Sequence, residues 1–326
     1  MPGEHEGTVS LSRTRTVAAI VVVLPWVAWA VMRNLGLERA HPLTAAIAFT
    51  PYVAATAWVP VLVAAALRRW WVAAVALIAA VGLVVAVAPR ALGGGRTVAG
   101  ASGRPVTVMT SNLAYGHGDP HAIMSLVRRH HVDVLSLQEL TPEAVRALDD
   151  AGARAHFSYR VLHADTGARG SGLMSRYPLR PRRFAPRDQL TTASAVLIVP
   201  GAKPTRTVAV HPPPPLGADV GDWRRQLRGL SKVPAHGTST LLIGDFNATL
   251  DHRELRTLLN HGLVDAADTT GAGLRTTYST RQRFPPPITI DHVLVDGFTG
   301  VGNLTVHTVP GSDHRALLAT ITLPAR

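Results

Sequence analysis

An aspartate and an asparagine two residues apart stand directly behind an apolar run. Thr240-Leu241-Leu242-Ile243 leads into Gly244-Asp245-Phe246-Asn247. Side chains at i and i+2 of an extended backbone leave the same face, so Asp245 and Asn247 are expected to converge on one ligand at the carboxyl end of a strand. Four further motifs follow the same design: Ser111-Asn112-Leu113, Gln138-Glu139, Ile290-Asp291-His292 and Ser312-Asp313-His314. Oxygen and imidazole donors of this kind suit phosphoryl chemistry. A phosphodiester or phosphoanhydride repels nucleophiles, so a catalyst must neutralise its charge and aim a water in line. A hard divalent cation does the first of these and takes oxygen ligands. Glu139 is the first candidate for such a ligand; its other reading is an exposed charge at a strand end. The chain has no cysteine, which excludes thiolate metal sites, disulfides and cysteine nucleophiles.

The elements that must carry these residues alternate. Val106–Leu113, Val132–Leu137, Ala193–Val199, Thr207–His211, Thr289–Val295, Leu304–Val309 and Arg315–Leu323 read as strands. Asp119-Pro120 is an N-cap followed by proline at the first helical position, and opens a helix to about His131. Thr141-Pro142-Glu143 repeats that start. Gly221–Val233 reads as a helix, and Asp251-His252-Arg253-Glu254 resembles a capping box ahead of another that stops at Gly262. The proline runs at 212–215 and 285–287 are expected to be stiff loops. Strand alternation turns His292 away from Asp291, so His292 reads as structural.

Composition splits the chain. Residues 1–103 are dominated by Ala, Val, Leu and Trp and carry eight arginines against three glutamates; residues 104–326 carry 25 basic against 18 acidic residues. A basic domain suits an anionic partner such as nucleic acid, a phospholipid headgroup or a phosphorylated substrate, although arginine-rich composition accounts for the excess equally well. Behind an N-terminal tail (1–13), three uncharged apolar stretches, about 14–32, 43–67 and 70–89, are long enough to cross a hydrocarbon core of roughly 30 Å. Three transmembrane helices are therefore expected, then a Gly-rich linker (90–104) and a catalytic domain (105–326). Arginine counting leaves the orientation open, with four on one side (Arg13, Arg15, Arg68, Arg69) and five on the other (Arg33, Arg39, Arg90, Arg96, Arg104).

The order Asn112, Gln138-Glu139, His211, Asp245-Phe246-Asn247, Asp291-His292, Ser312-Asp313-His314 resembles the endonuclease/exonuclease/phosphatase superfamily over residues 105–326. The resemblance implies an α/β four-layer sandwich, two mixed β-sheets face to face with helices outside, and a site along one edge. It implies Mg2+ (or Mn2+) held by Glu139, with Asn112 in the metal site beside it helping to orient Glu139 or the phosphate, and Asp313 adding a ligand directly or through water. It implies that Asp245 orients or deprotonates the attacking water, that Asn247 holds a phosphoryl oxygen, and that His314, paired with Asp291, contacts the scissile phosphate. His211 falls where relatives place a His or Tyr toward the phosphate. Related nucleases can carry an acid two positions after the asparagine, where this chain has Ala114; that departure argues for one principal Mg2+. Arg169-Gly170-Ser171-Gly172 resembles a Gly-rich segment of the same superfamily, whose arginine either reaches a substrate phosphate or lies on the surface.

Apolar spans ahead of such a domain, together with His211-Pro212-Pro213-Pro214-Pro215, resemble the VanJ-type teicoplanin-resistance proteins of actinobacteria. That resemblance implies an extracytoplasmic catalytic domain acting on a lipid-linked diphosphate, undecaprenyl pyrophosphate, at the bilayer. An anchored nuclease is the competing expectation. A binding module on a decayed fold would have lost Glu139, Asp245, Asn247 or His314, and all four are present.

Overall fold

The computed structural model describes residues 3–93, 103–184, 192–233, 239–279 and 285–326. Most of the expected linker, 94–102, lies outside the described residues. The chain divides into two compact units, Met1–Pro89 with Asp251–Arg253, and Arg90–Leu250 with Glu254–Arg326.

In the first unit, helix Gly3–Leu35 begins within the expected tail. Arg13–Leu35 and Trp70–Leu92, 23 residues each, are long and apolar enough to cross a membrane. The middle stretch is not one straight helix: Leu43–Ala55 and Trp58–Ala66 meet at 56°. Pro60 explains the break. Its ring would strike the carbonyl of Thr56 in a continuous helix, and it has no N–H to bond that carbonyl. As the third residue of the second segment, it stands where no intrahelical donor is required. Inner faces are small, with Ala19, Ala64, Ala76 and Ala79 buried, while Val21, Leu24, Ile78 and Val85 face outward. Small residues let helix backbones approach where water supplies no driving force, and large apolar residues suit lipid. The indole N–H of Trp29 donates to Thr50 Oγ1 at 3.0 Å and that of Trp26 to Thr56 Oγ1 at 3.3 Å, so neither donor is stranded.

Two six-stranded mixed sheets form the second unit. The strands are β1 Gly103–Asn112, β2 Val134–Gln138, β3 Tyr159–His163, β4 Ser171–Ser175, β5 Leu179–Pro181, β6 Ser194–Leu197, β7 Thr205–Val210, β8 Ser239–Asp245, β9 Leu263–Asp265, β10 Asp291–Asp296, β11 Gly300–Thr308 and β12 Arg315–Pro324. One sheet runs β11-β12-β1-β2-β4-β3 and the other β5-β6-β7-β8-β10-β9. The period of two sorts their side chains. Val106, Val108, Leu241, Ile243 and Val293 enter the core between the sheets. Met109 and Leu135 turn to the opposite face and pack with Ile123, Met124 and Leu148 of helices Pro120–Arg129 and Pro142–Asp150. Leu242 and Leu294 do the same in the second sheet, against Trp223, Leu227, Leu255 and Leu258 of helices Val220–Leu230 and Arg253–Asn260. Burial on both faces is why these strands read as unbroken apolar runs. Three cores make four layers, as the sequence resemblance implied. The caps expected at Asp119 and Thr141 form: Asp119 Oδ1 accepts from His121 N at 2.8 Å, and Thr141 Oγ1 from Ala144 N at 3.1 Å.

Short strands β3, β5 and β9 fall where periodicity gave no signal. The polar Tyr159–His163 is an edge strand on β4, where only one face packs.

Candidate active site

Topology brings the motifs to one edge. β1 and β2 are parallel with Asn112 level with Gln138, and β7 and β8 are parallel with Val210 level with Gly244. Asn112, Glu139, His211 and Asp245 therefore all stand at carboxyl ends. β10 is antiparallel to β8, which sets its first residue, Asp291, opposite Asp245. β12 is antiparallel to β1 and starts just after His314. Gly244 makes the close approach of β7 and β8 feasible at this edge. Its φ is +153°, and a Cβ there would lie 2.1 Å from the Val210 carbonyl oxygen.

One hydrogen-bond network links the buried groups. The Asn112 amide Nδ2 donates to Glu139 Oε1 and to Asp245 Oδ2, both at 3.1 Å. Its oxygen accepts from Ala114 N at 2.9 Å. Glu139 Oε2 accepts from Tyr115 N at 2.6 Å, and Asp245 Oδ1 from Asn247 N at 2.7 Å. His314 Nδ1 meets Asp291 Oδ2 at 2.9 Å, leaving Nε2 3.7 Å from Asp245 Oδ2. His211 Nε2 lies 3.8 Å from both Glu139 Oε1 and Asp245 Oδ2. Ser312 Oγ donates to the Asn112 carbonyl at 2.8 Å and accepts from His314 N at 3.0 Å, tying the histidine to the end of β1.

Burial and neighbouring charge separate the titrations. Burial would depress His314, but Asp291 and then Asp245 override it and lift it to about 9. Burial and the His314 charge press His211 down to about 4, so it is neutral at physiological pH. Asp245 is pushed up to about 7, first by burial and then by Asp291. Glu139 is raised by burial, with Asp313 adding to the rise and the Asn112 and Tyr115 donors opposing it. The edge thus holds one imidazolium, one neutral imidazole and a carboxylic acid near its midpoint at neutral pH.

Among the described residues, Asp245, Asp291 and His314 offer ligand atoms within 4.8 Å of one another. A charged His314 bonded to Asp291 competes with a cation for these carboxylates. Glu139 is held by an amide and a backbone N–H, and it feels the charge of His314 more strongly than that of Asp313. Glu139 keeps a buried carboxylate at this edge, an oxygen donor of the kind a hard cation takes. The Asn112 NH2 is turned to both carboxylates and its oxygen is engaged by Ala114 N, an arrangement that suits the orienting of Glu139 that the resemblance implies.

Asn247 reaches the edge by another route than the expected strand face. β8 ends at Asp245, and Asn247 is left-handed with φ 47°. Asparagine tolerates that conformation, and its Nδ2 donates to the Pro212 carbonyl at 3.0 Å, tying the loop behind β8 to the one behind β7. Glu139 is left-handed as well, with φ 56°. Asp313 is half-buried beside His314. Arg169 pairs with Asp165 at 3.2 Å and is mostly exposed. Sequence reasoning passed over Tyr115, Ser312 and Thr277, whose Oγ1 accepts from Asp291 N at 3.1 Å. Only Ser312 lay inside a quoted motif; the others act through backbone N–H or a hydroxyl that no spacing betrays.

His292 is structural, and heavily so. It is fully buried, its Nδ1 bonded to Asp265 Oδ2 and its Nε2 2.8 Å from the Ala248 carbonyl. Two acceptors require an N–H on both nitrogens, hence the imidazolium. Burial works against that charge, yet the Asp265 carboxylate raises His292 above its ordinary 6.5. The stabilisation is therefore complete below 6.5 and is lost as pH rises through the higher folded value. His292→Asn strands Asp265 and is expected to cost about 3–5 kcal/mol near pH 6. Thermal unfolding of the detergent-solubilised protein should show that deficit shrinking at alkaline pH; a deficit independent of pH would contradict the charged pair.

The sequence profile of the Endonuclease/Exonuclease/phosphatase family matches residues 109–314, a span that holds every motif above. No protein of curated function matches the chain in sequence. Solved structures share its fold. An endonuclease/exonuclease/phosphatase protein from Beutenbergia cavernae is 18% identical with a TM-score of 0.52, covering 68% of this chain and 72% of that one. An AP endonuclease from Archaeoglobus fulgidus is 15% identical with a TM-score of 0.54, covering 66% and 98%. TDP2 from D. rerio, in complex with a single-strand DNA product, is 18% identical with a TM-score of 0.53, covering 67% and 99%.

Proposed function

The chain belongs to the Endonuclease/Exonuclease/phosphatase family and is a metal-dependent phosphoester hydrolase; we propose that it is a membrane-anchored, Mg2+-dependent enzyme that dephosphorylates a lipid-linked diphosphate. The observation that carries this reading is that helices long and apolar enough to cross a bilayer belong to the same chain as the site. Covalent attachment to a membrane raises the effective concentration of lipid-linked substrates. The second half of the chain also has no long basic, aromatic insertion of the kind that grips a duplex. Undecaprenyl pyrophosphate at the outer membrane surface is the proposed substrate, with the catalytic unit extracytoplasmic and teicoplanin resistance as the cellular consequence.

In this reading Glu139 and Asp313 hold the cation, which when bound neutralises phosphate charge. Asn112 fixes the Glu139 and Asp245 carboxylates. Asp245, close to its midpoint at neutral pH, takes a proton from the attacking water, as a base does best when its pKa lies near the working pH. The water oxygen bonds to the terminal phosphorus, and the bridging oxygen leaves with its electron pair on the lipid phosphate. His314, charged and backed by Asp291, stabilises the negative charge that builds on the phosphoryl oxygens. Neutral His211, 3.8 Å from Glu139 and Asp245, faces the phosphate, and Asn247 holds a phosphoryl oxygen.

A DNA-directed phosphodiesterase is the second reading, favoured by the net positive charge of residues 104–326 and by relatives of this fold that act on DNA. Comparing kcat/KM for full-length protein on detergent-solubilised undecaprenyl pyrophosphate, plasmid and abasic-site DNA separates the two. The lipid is expected to be the better substrate by at least an order of magnitude. Efficient cutting of DNA with the lipid untouched would make the helices an anchor only.

A further inference from the structure

Tyr278 stands at the site with its hydroxyl unused. Its backbone bridges to Ile288 on one side and to His314 on the other. That places its ring 4.8 Å from the His314 ring, inclined at 46°. Thr277, just before it, holds the backbone N–H groups of Ile290 and Asp291 through its Oγ1, both at 3.1 Å. The segment that carries the tyrosine is therefore anchored to His314 and to the acid that pairs with it. The phenol is close enough to Asp313, Asp245, Tyr115 and Glu139 to feel each of them. Yet the hydroxyl makes no hydrogen bond among the described residues, although the side chain is half-buried. Three of the carboxylates at this edge, Glu139, Asp245 and Asp291, are already engaged by Asn112, Tyr115, Asn247 and His314, which leaves the phenol O–H available to a ligand.

We propose that Tyr278 is a phosphate-binding residue, its O–H donating to a phosphoryl oxygen beside the one that His314 faces. This rests on the reading of the edge as a phosphohydrolase site. Burial and the surrounding carboxylates hold the phenol above its ordinary 10, so it stays a neutral donor throughout the working range and adds no charge that Asp245 or Glu139 would bind in place of substrate. His314 and Tyr278 contribute different things, since the imidazolium supplies charge and the phenol supplies direction. The contact between the two rings sets the angle between their donors. The residue lies on a loop between β9 and β10, and its neighbours Arg275 to Ile288 carry no pattern that announces it.

Tyr278→Phe tests this without disturbing the ring contact. Full-length protein with Mg2+ is assayed on bis(p-nitrophenyl) phosphate and p-nitrophenyl phosphate, and inorganic phosphate binding is measured by calorimetry. The Phe variant is expected to lose about ten- to a hundred-fold in kcat/KM, the weight of a hydrogen bond to a charged group, and to bind phosphate about ten-fold more weakly. Its Tm should match that of the wild type. Phosphate affinity equal to wild type, or no phosphate binding by either protein, overturns the assignment. Wild-type protein that binds phosphate in a Tyr278-dependent manner but hydrolyses neither ester leaves the assignment standing and sinks the hydrolytic reading instead.

Discussion

Asp245→Asn is expected to lower kcat/KM by roughly 10²-fold or more while the protein remains folded. Asp245 is nearly fully buried and sits between the Asn112 amide and the Asn247 N–H, with His211 and His314 nitrogens 3.8 and 3.7 Å away. An amide of the same shape keeps the packing but cannot accept the proton of an attacking water. The stability consequence runs the other way. Burial and Asp291 raise this carboxyl from 3.8 to about 7, so above 3.8 its ionisation favours the unfolded chain. Removing that ionisation offsets the one hydrogen bond that the amide loses. Tm measured in EDTA at neutral pH should therefore hold, a trade of stability against activity typical of reactive sites. A folded variant with near wild-type turnover would remove Asp245 from the reaction.

Chelation should abolish turnover, and Mg2+ or Mn2+ should restore it. Glu139 is the residue on which this depends. It is buried at a left-handed position after β2, one oxygen held by Asn112 and the other by the Tyr115 N–H. Such strain persists when the surroundings over-determine it, at a cost of order 1–3 kcal/mol. Glu139→Gln keeps the length and both hydrogen-bonding directions only in part, since Tyr115 and Asn112 are both donors and the amide offers one acceptor. We expect metal affinity, read directly by calorimetry with Mn2+, to fall by about ten- to a hundred-fold or more, with turnover falling alongside. Full activity in EDTA would end the metal-dependent assignment. Unchanged Mn2+ affinity in the Gln variant would instead move the cation away from Glu139, toward Asp245 and Asp291.

Much of this was legible along the chain because it is local. The apolar runs at Thr240–Ile243 and Val132–Leu137 declare strands buried on both faces, and the caps at Asp119 and Thr141 declare helix starts from a few residues each. Strand ends rich in acids, amides and histidines name the groups of the site, and their order names the family. The period of two also turned His292 away from Asp291, and its ring meets Asp265 instead. Local pattern reached less far wherever a turn or a partner distant in sequence decides. Asn247 shares the edge with Asp245 through a left-handed turn rather than through strand alternation, because β8 stops at Asp245 and the loop must bend back to Pro212. The amide of Asn112 faces two carboxylates 27 and 133 residues away, a crossing that no spacing along the chain reveals. Pro60 breaks the second apolar stretch in a way that composition alone does not reveal. Which acid holds the imidazolium, which imidazole stays neutral and where Tyr278 lies follow from burial and from distances of about 3 to 5 Å between distant segments. Side-chain identity and spacing therefore determined what chemistry the chain can perform and on which elements. The tertiary structure assigned each group its charge and partner, since desolvation and Coulomb forces act through space and not along the chain.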